Sequence, residues 1–135
     1  MYDVKAYSLA TEGEVKLSEH FKVREFACKD GTDPVFVSES LVGILEAIRL
    51  HFDAPVHINS AYRTPQHNAK EGGVKTSQHT YGLAADIRVD GHTPAEVYAV
   101  ADSMLGDHGG VGIYDTFVHV DTRSKKSRFD YRKKK

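Results

Sequence analysis

The sequence predicts an α+β domain in which helices pack on a small, largely antiparallel sheet. Three observations carry that prediction. Capped segments of helical period come early, strand-like runs cluster late, and neither a repeat nor a Ser/Pro linker divides them. At 135 residues the chain has the length of one domain, and such a chain buries about two-thirds of its unfolded surface.

Taken in order, LSEHFKVREFACKD (17–30) predicts a short helical turn capped by Ser18 and anchored by Leu17, Phe21 and Phe26. VSESLVGILEAIRLHF (37–52) is the main amphipathic helix, with Ser38 or Ser40 as cap and Leu41, Ile44, Leu45, Ile48 and Phe52 on its apolar stripe. Asp53-Ala54-Pro55 ends it. Val56, Ile58 and Ser60 then alternate with His57 and Asn59, the period of a strand. Thr64-Pro65 opens a second helix, as cap and first-turn proline, running to about Glu71 and closing at Gly72-Gly73. In LAADIRV, Ala84, Asp86 and Arg88 share one strand face, and Ala85, Ile87 and Val89 the other. Thr93-Pro94 starts a third helix that closes near Gly106. GGVGIY and FVHVDTR are the last two strands, a hairpin turning at Asp115-Thr116.

Composition narrows the classes. With 40% hydrophobic and 27% charged residues and no Trp, the chain is an ordinary globular one, without the roughly 18-residue apolar stretch that spans a bilayer. Membrane insertion is therefore not expected. A single cysteine, Cys28, excludes an internal disulfide framework and a Cys-rich zinc site. MYDVKAYSLATEGEVK lacks the basic and apolar regions of a secretory leader, so either the chain stays in the cytoplasm or something else delivers it. The net charge of −1 hides an asymmetry: residues 1–122 hold ten basic and eighteen acidic residues, residues 123–135 eight basic and one acidic. We therefore expect one domain over 1–122 followed by a basic C-terminal tail over 123–135. Such a tail is either a solvated, frayed end or an attractor for an anionic polymer or lipid surface. Nothing else in the chain supports nucleic-acid readout. A monomer is expected.

Asp86 is an acid in the middle of an apolar strand, and burying an unpaired carboxylate costs several kcal/mol. Seven residues earlier stands His79, in the turn SQHTYGLAAD, where Gly82 lets the backbone bend back so that ring and carboxylate can converge. His119, between Val118 and Val120, is a second polar interruption. Two readings of these residues stay open on spacing alone. Three nitrogen or oxygen ligands with one open position are the pattern of a catalytic zinc; buried hydrogen-bonded His/Asp pairs would leave the same trace.

INSAYRTPQHN, followed by GGVKTSQHTYGLAADI and GGVGIYDTFVHVDTR, resembles the zinc peptidases of the M15 family, the D-alanyl-D-alanine carboxypeptidases and peptidoglycan endopeptidases, over about residues 15–128. The signature Ser-x-His-x-x-Gly-x-Ala-x-Asp is matched in full by Ser77, His79, Gly82, Ala84 and Asp86. The resemblance, nearest to the small, often phage-encoded branch, implies a hedgehog/DD-peptidase-like fold and Zn²⁺ held by His79, Asp86 and His119. It implies that Arg63 binds a substrate carboxylate or polarises the scissile carbonyl, and that Ser77 hydrogen-bonds substrate near the metal. Tyr62, Tyr81 and Tyr114 stand beside motif positions as groove-lining candidates.

One departure concerns the general base. Many M15 enzymes carry an acid three positions before the last histidine ligand, where this chain has Thr116. Asp115 and Asp121 flank that histidine instead, and Asp121, held in the rigid strand, is the favoured base. Its alternative role is to orient His119. Two functions follow as expectations: a peptidase that cleaves peptidoglycan peptides with a metal-activated water, or a metal-bearing module that only grips them. A peptidoglycan substrate implies action at the cell wall, reached through lysis, another export route, or a leader not included here.

Overall fold

Ser38 ends one strand and caps the longest helix, and around this junction the rest of the chain is arranged. The computed structural model describes residues 3–70 and 77–133. β1 (Val4–Tyr7) pairs antiparallel with β4 (Val35–Ser38), and α1 (Leu9–Glu12) follows β1. β2 (Lys16–Ser18) and β3 (Phe21–Lys22) form a second small antiparallel ribbon, continued by a 3-10 turn over Val23–Phe26. The helical turn thus starts later than the sequence predicts. Ser18 is no cap: its hydroxyl donates to the half-buried Glu46 carboxylate at 2.6 Å, a contact that holds Ser18 in a strand instead. β1, α1, β2, β3 and β4 are absent from the sequence reading, each being too short to show a period of its own.

α2 (Glu39–Phe52) begins at Ser38, whose Oγ accepts from the Leu41 amide, and stops at Asp53 in the left-handed region (φ 48°). β5 (Val56–Ser60), α3 (Pro65–Lys70), a 3-10 turn over Gln78–Tyr81 and β6 (Ala84–Val89) follow. The predicted close of α3 at Glu71 to Gly73 lies outside the described residues. Thr93 caps α4 (Pro94–Leu105) in a capping box with Glu96. β7 (Gly110–Ile113), β8 (Val118–Asp121) and β9 (Ser127–Asp130) complete the chain.

The main sheet has the order β5-β6-β8-β7-β9, antiparallel except for the β7–β9 pair, which is parallel. This is an α+β fold. Ala85, Ile87 and Val89 of β6, Val118 and Val120 of β8 and Val111 of β7 face Leu41, Leu45 and Ile48 of α2 and Val97 and Ala101 of α4, all buried in one core. Each fully buried Val, Leu or Ile contributes about 1.5–3 kcal/mol relative to exposure. Alternation sends the remaining residues of these strands to the opposite face. There the register lines up Ser60, Asp86, His119, Gly112 and Phe129 as one row across all five strands.

Residues 127–130, inside the basic C-terminal segment, are an ordered edge strand rather than a frayed end. Arg128, level with Val111, points to the helix side. It bonds Asp102 at 2.5 Å and the carbonyls of Gly106 (2.8 Å) and Gly109 (2.7 Å) at the end of α4. A cation is favourable there because the last carbonyls of a helix carry partial negative charge. Among the described residues no helix is long and apolar enough to cross a membrane.

Candidate metal centre

Asp86 and His119 are direct cross-strand partners on β6 and β8, so their side chains leave the sheet side by side on the polar face. His79 reaches the same point from the 3-10 turn. Ser77 caps that turn by accepting from the His79 amide at 3.2 Å, and Gly82 closes it at φ 74°. A Cβ on Gly82 would stand 2.7 Å from the Phe36 carbonyl oxygen, so both its conformation and its close approach require glycine.

All three residues are buried, and their ligating atoms lie within 4.8 Å of one another. Asp86 Oδ1 is 3.2 Å from His79 Nε2 and 3.1 Å from His119 Nδ1. The far nitrogen of each ring is already occupied. His79 Nδ1 lies 2.7 Å from the Ala61 carbonyl, and His119 Nε2 lies 2.7 Å from Asp121 Oδ2. Both oxygens can only accept, so both far nitrogens carry the proton. A neutral ring then turns its lone pair toward Asp86. Three lone pairs facing one another repel unless a cation, or a proton on each ring, lies between them. The donor set therefore fits a divalent metal held by His79, Asp86 and His119.

Protons shared between the rings and the carboxylates are the alternative to a cation, and that form has its own electrostatics. Burial opposes ionisation of Asp86, but hydrogen bonds from His119 and His79 outweigh it and hold the carboxyl well below the usual range. Burial likewise opposes charge on His119, yet bonds to Asp121 and Asp86 raise its pKa. Asp121 is fully buried, and against that burial the bonds from His119 and Arg123 keep it ionised.

Asp121 touches His119 on the edge away from Asp86. Both of its oxygens are committed, Oδ2 to His119 and to Arg123 Nη2 (2.6 Å), Oδ1 to the Arg123 amide and Nε (3.1 and 2.9 Å). Its neighbours in the sheet are Ala84 and Gly110, and a Cβ on Gly110 would sit 2.2 Å from Oδ2. Asp115 is exposed on the β7–β8 turn, three residues and roughly 10 Å along the chain from the His119 row, where it accepts from the Lys133 amide at 3.1 Å.

Arg63 follows β5 with its guanidinium spread over three partners: Ser60 Oγ (3.0 Å), Asn68 Oδ1 (3.3 Å) and Asp86 Oδ2 (3.4 Å). Of the residues singled out from sequence, the structure gathers Arg63, His79, Asp86, His119 and Asp121. Ser77 enters only through the His79 backbone, and Tyr81 is exposed in a surface hollow with Val4, Gln78 and Leu83. Sequence reasoning missed Ser60, Asn68, Arg123 and Phe129. Arg123 sits two positions after Asp121, a spacing that places strand residues on one face and that a closer reading would have used. Phe129 stands over Gly112 with its ring centroid 5.4 Å from that of His119, and Tyr114 and Tyr131 extend the aromatic wall.

A sequence profile of the Peptidase M15 family matches residues 18–121. Among curated proteins, the peptidoglycan L,D-endopeptidase MepK of Escherichia coli (strain K12) is 40% identical over 75 residues, covering 50% of this chain and 40% of that protein. The protein of the same name from Shigella flexneri matches to the same extent. The matched stretch spans less than half the length of these relatives. The profile takes in every ligand candidate, both flanking aspartates and Arg63: the chain belongs to the M15 peptidase family.

Proposed function

We propose that the protein is a zinc-dependent peptidase that hydrolyses peptide bonds in bacterial peptidoglycan. The observation that carries this reading is the convergence of three potential ligand atoms, His79 Nε2, Asp86 Oδ1 and His119 Nδ1. The substrate class follows that of the relatives, which are peptidoglycan L,D-endopeptidases. Zn²⁺ suits two imidazoles and a carboxylate, and when bound there it would acidify a coordinated water and polarise a carbonyl.

The protein's own residues divide the remaining work. Ala61 and Asp121 fix which nitrogen of each histidine is protonated, so both rings present lone pairs without rearrangement. Arg63 is locked by Ser60 and Asn68 in a fork that suits a substrate carboxylate or the scissile carbonyl. Asp121, with both oxygens committed, serves as a positioning residue rather than as the base. The aromatic wall of Tyr114, Phe129 and Tyr131 bounds the site on the β9 side.

A metal-bearing module that binds wall peptides without turnover is the second reading. One observation favours it: Asp121 is committed elsewhere and Asp115 is carried off on the turn. Digestion of purified peptidoglycan, with metal-loaded and chelator-treated protein in parallel and fragments identified by mass spectrometry, decides between them. Metal-dependent fragments establish the peptidase and name the bond. Retention on peptidoglycan without fragments favours the binding module.

A further inference from the structure

A second group of metal-ligating side chains is organised around Thr64, the residue after Arg63. Cys28 Sγ, a carboxylate oxygen of Asp30 and a ring nitrogen of His67 lie within 4.8 Å of one another. They come from two separate parts of the fold, Cys28 and Asp30 from the segment after the first 3-10 turn and His67 from α3. Thr64 ties the parts together. Its amide donates to Cys28 Sγ at 3.5 Å, its hydroxyl donates to Asp30 Oδ2 at 3.0 Å, and that hydroxyl accepts from the His67 amide at 3.1 Å.

A cysteine that only fills space is surrounded by apolar groups. Cys28 is 3% exposed and belongs to the core, but its sulfur also meets polar groups, donating its S–H to Asp30 and receiving the Thr64 amide. The thiolate is the form of cysteine that binds metals. Asp30 is held ionised by bonds from Thr32, Cys28 and Thr64. Asp30 is exposed and His67 half-buried, so the thiol forms the floor and the other two ligands the rim that an ion would cross. Sulfur, nitrogen and oxygen together suit a borderline divalent ion of the zinc class and poorly suit Mg²⁺ or Ca²⁺, which take oxygen ligands.

We propose that Cys28, Asp30 and His67 form a second site for a zinc-class divalent ion, with the remaining coordination open to solvent. On binding, the Cys28 S–H bond breaks as the metal–sulfur bond forms, one proton passes to solvent, and Asp30 exchanges its bond from the thiol for the ion. No oxidation change is involved. An ion there would staple the 28–30 segment to α3 on either side of Arg63 and Thr64, stiffening the mount of the guanidinium. The site stands independently of the proposed peptidase activity.

Cobalt substitution of the full chain under a phosphine reductant tests this. The His79, Asp86, His119 centre contains no sulfur, so a thiolate-to-cobalt charge-transfer band can come only from Cys28. The wild type should retain two Co²⁺ per chain by elemental analysis and show the band. Cys28→Ser should retain one ion without the band, and His119→Ala one ion with the band intact. Asp30→Asn and His67→Ala should each weaken the band-forming ion at least tenfold in cobalt titrations. These two rim variants decide the matter if Cys28→Ser fails to fold. One ion and no band in the wild type, or titrations unchanged in both rim variants, would overturn the proposal. A single ion with the band in the wild type would uphold this site and reject metal binding at the other.

Discussion

One imidazole bridges two carboxylates: His119 Nε2 lies 2.7 Å from Asp121 Oδ2, while Nδ1 on the other edge of the ring lies 3.1 Å from Asp86 Oδ1. Asp121 therefore sets the protonation of the ring, and the ring transmits it to the candidate metal position. Asp121→Asn replaces a pure acceptor by an amide that can also donate, and so releases that constraint. Metal affinity should fall about 10- to 100-fold, read by competition with a chelator of known strength. Unchanged affinity would contradict the positioning role.

Arg63→Lys keeps the charge and loses the fork to Ser60 and Asn68. Metal content should stay at the wild-type level while hydrolysis of peptidoglycan peptides falls roughly 10- to 100-fold. That is the range expected for losing a charge-assisted hydrogen bond of about 1.5–3 kcal/mol. Equal losses of metal and turnover would mean that Arg63 acts through Asp86 instead.

Gly112 is the empty place in the row Asp86, His119, Gly112, Phe129. A Cβ there would stand 1.9 Å from Phe129 Cε2, so Gly112→Ala should destabilise by about 1–3 kcal/mol in denaturant unfolding. Adding Phe129→Ala should cost less in the Gly112→Ala background than alone, because the two changes share one contact. Strict additivity would show that the ring has another way out.

Arg128 and the lysines beside it belong to the same charge run and should behave differently. Arg128→Ala removes the bonds to Asp102 and to the carbonyls ending α4, with a loss of about 1–3 kcal/mol. Lys125→Ala and Lys126→Ala, at exposed positions, should change stability by no more than about 0.5 kcal/mol. Equal small effects would return the segment to a solvated tail.

Glu46 supplies an acid-sensitive clamp. Burial opposes its ionisation, but bonds from Ser18 and His20 outweigh that and lower its pKa. The stabilisation is fully present above the unfolded carboxylate value of about 4.3 and is lost as pH falls through the lower folded value. Urea unfolding from pH 6 down to pH 3 should show a shallower loss in Glu46→Gln than in the wild type. Parallel profiles would place the acid sensitivity elsewhere.

Much of this was legible in the chain. Ser38 and Thr93 were readable as caps, and the alternation through LAADIRV and FVHVD placed Asp86 and His119 on polar faces of their strands. Ser18 was misread as a cap because its partner, Glu46, lies 28 residues away. Phe129 was hidden within a run of Lys and Arg, where charge density masked an alternating strand.

By itself the sequence determined the α+β class, the starts of the three longer helices, the hairpin and the residues able to meet a metal, because periodicity, capping and turn chemistry act over a few neighbouring residues. Tertiary structure decided which nitrogen of each histidine faces Asp86, that Asp121 turns its oxygens to His119 and Arg123, and that the basic segment returns as a parallel strand beside β7. It also brought Cys28, Asp30 and His67 to one point. Each of these depends on strand register and side-chain hydrogen bonds. Where they join residues far apart in the chain, the contact forms only when the core has closed the intervening loop, and no local pattern records it.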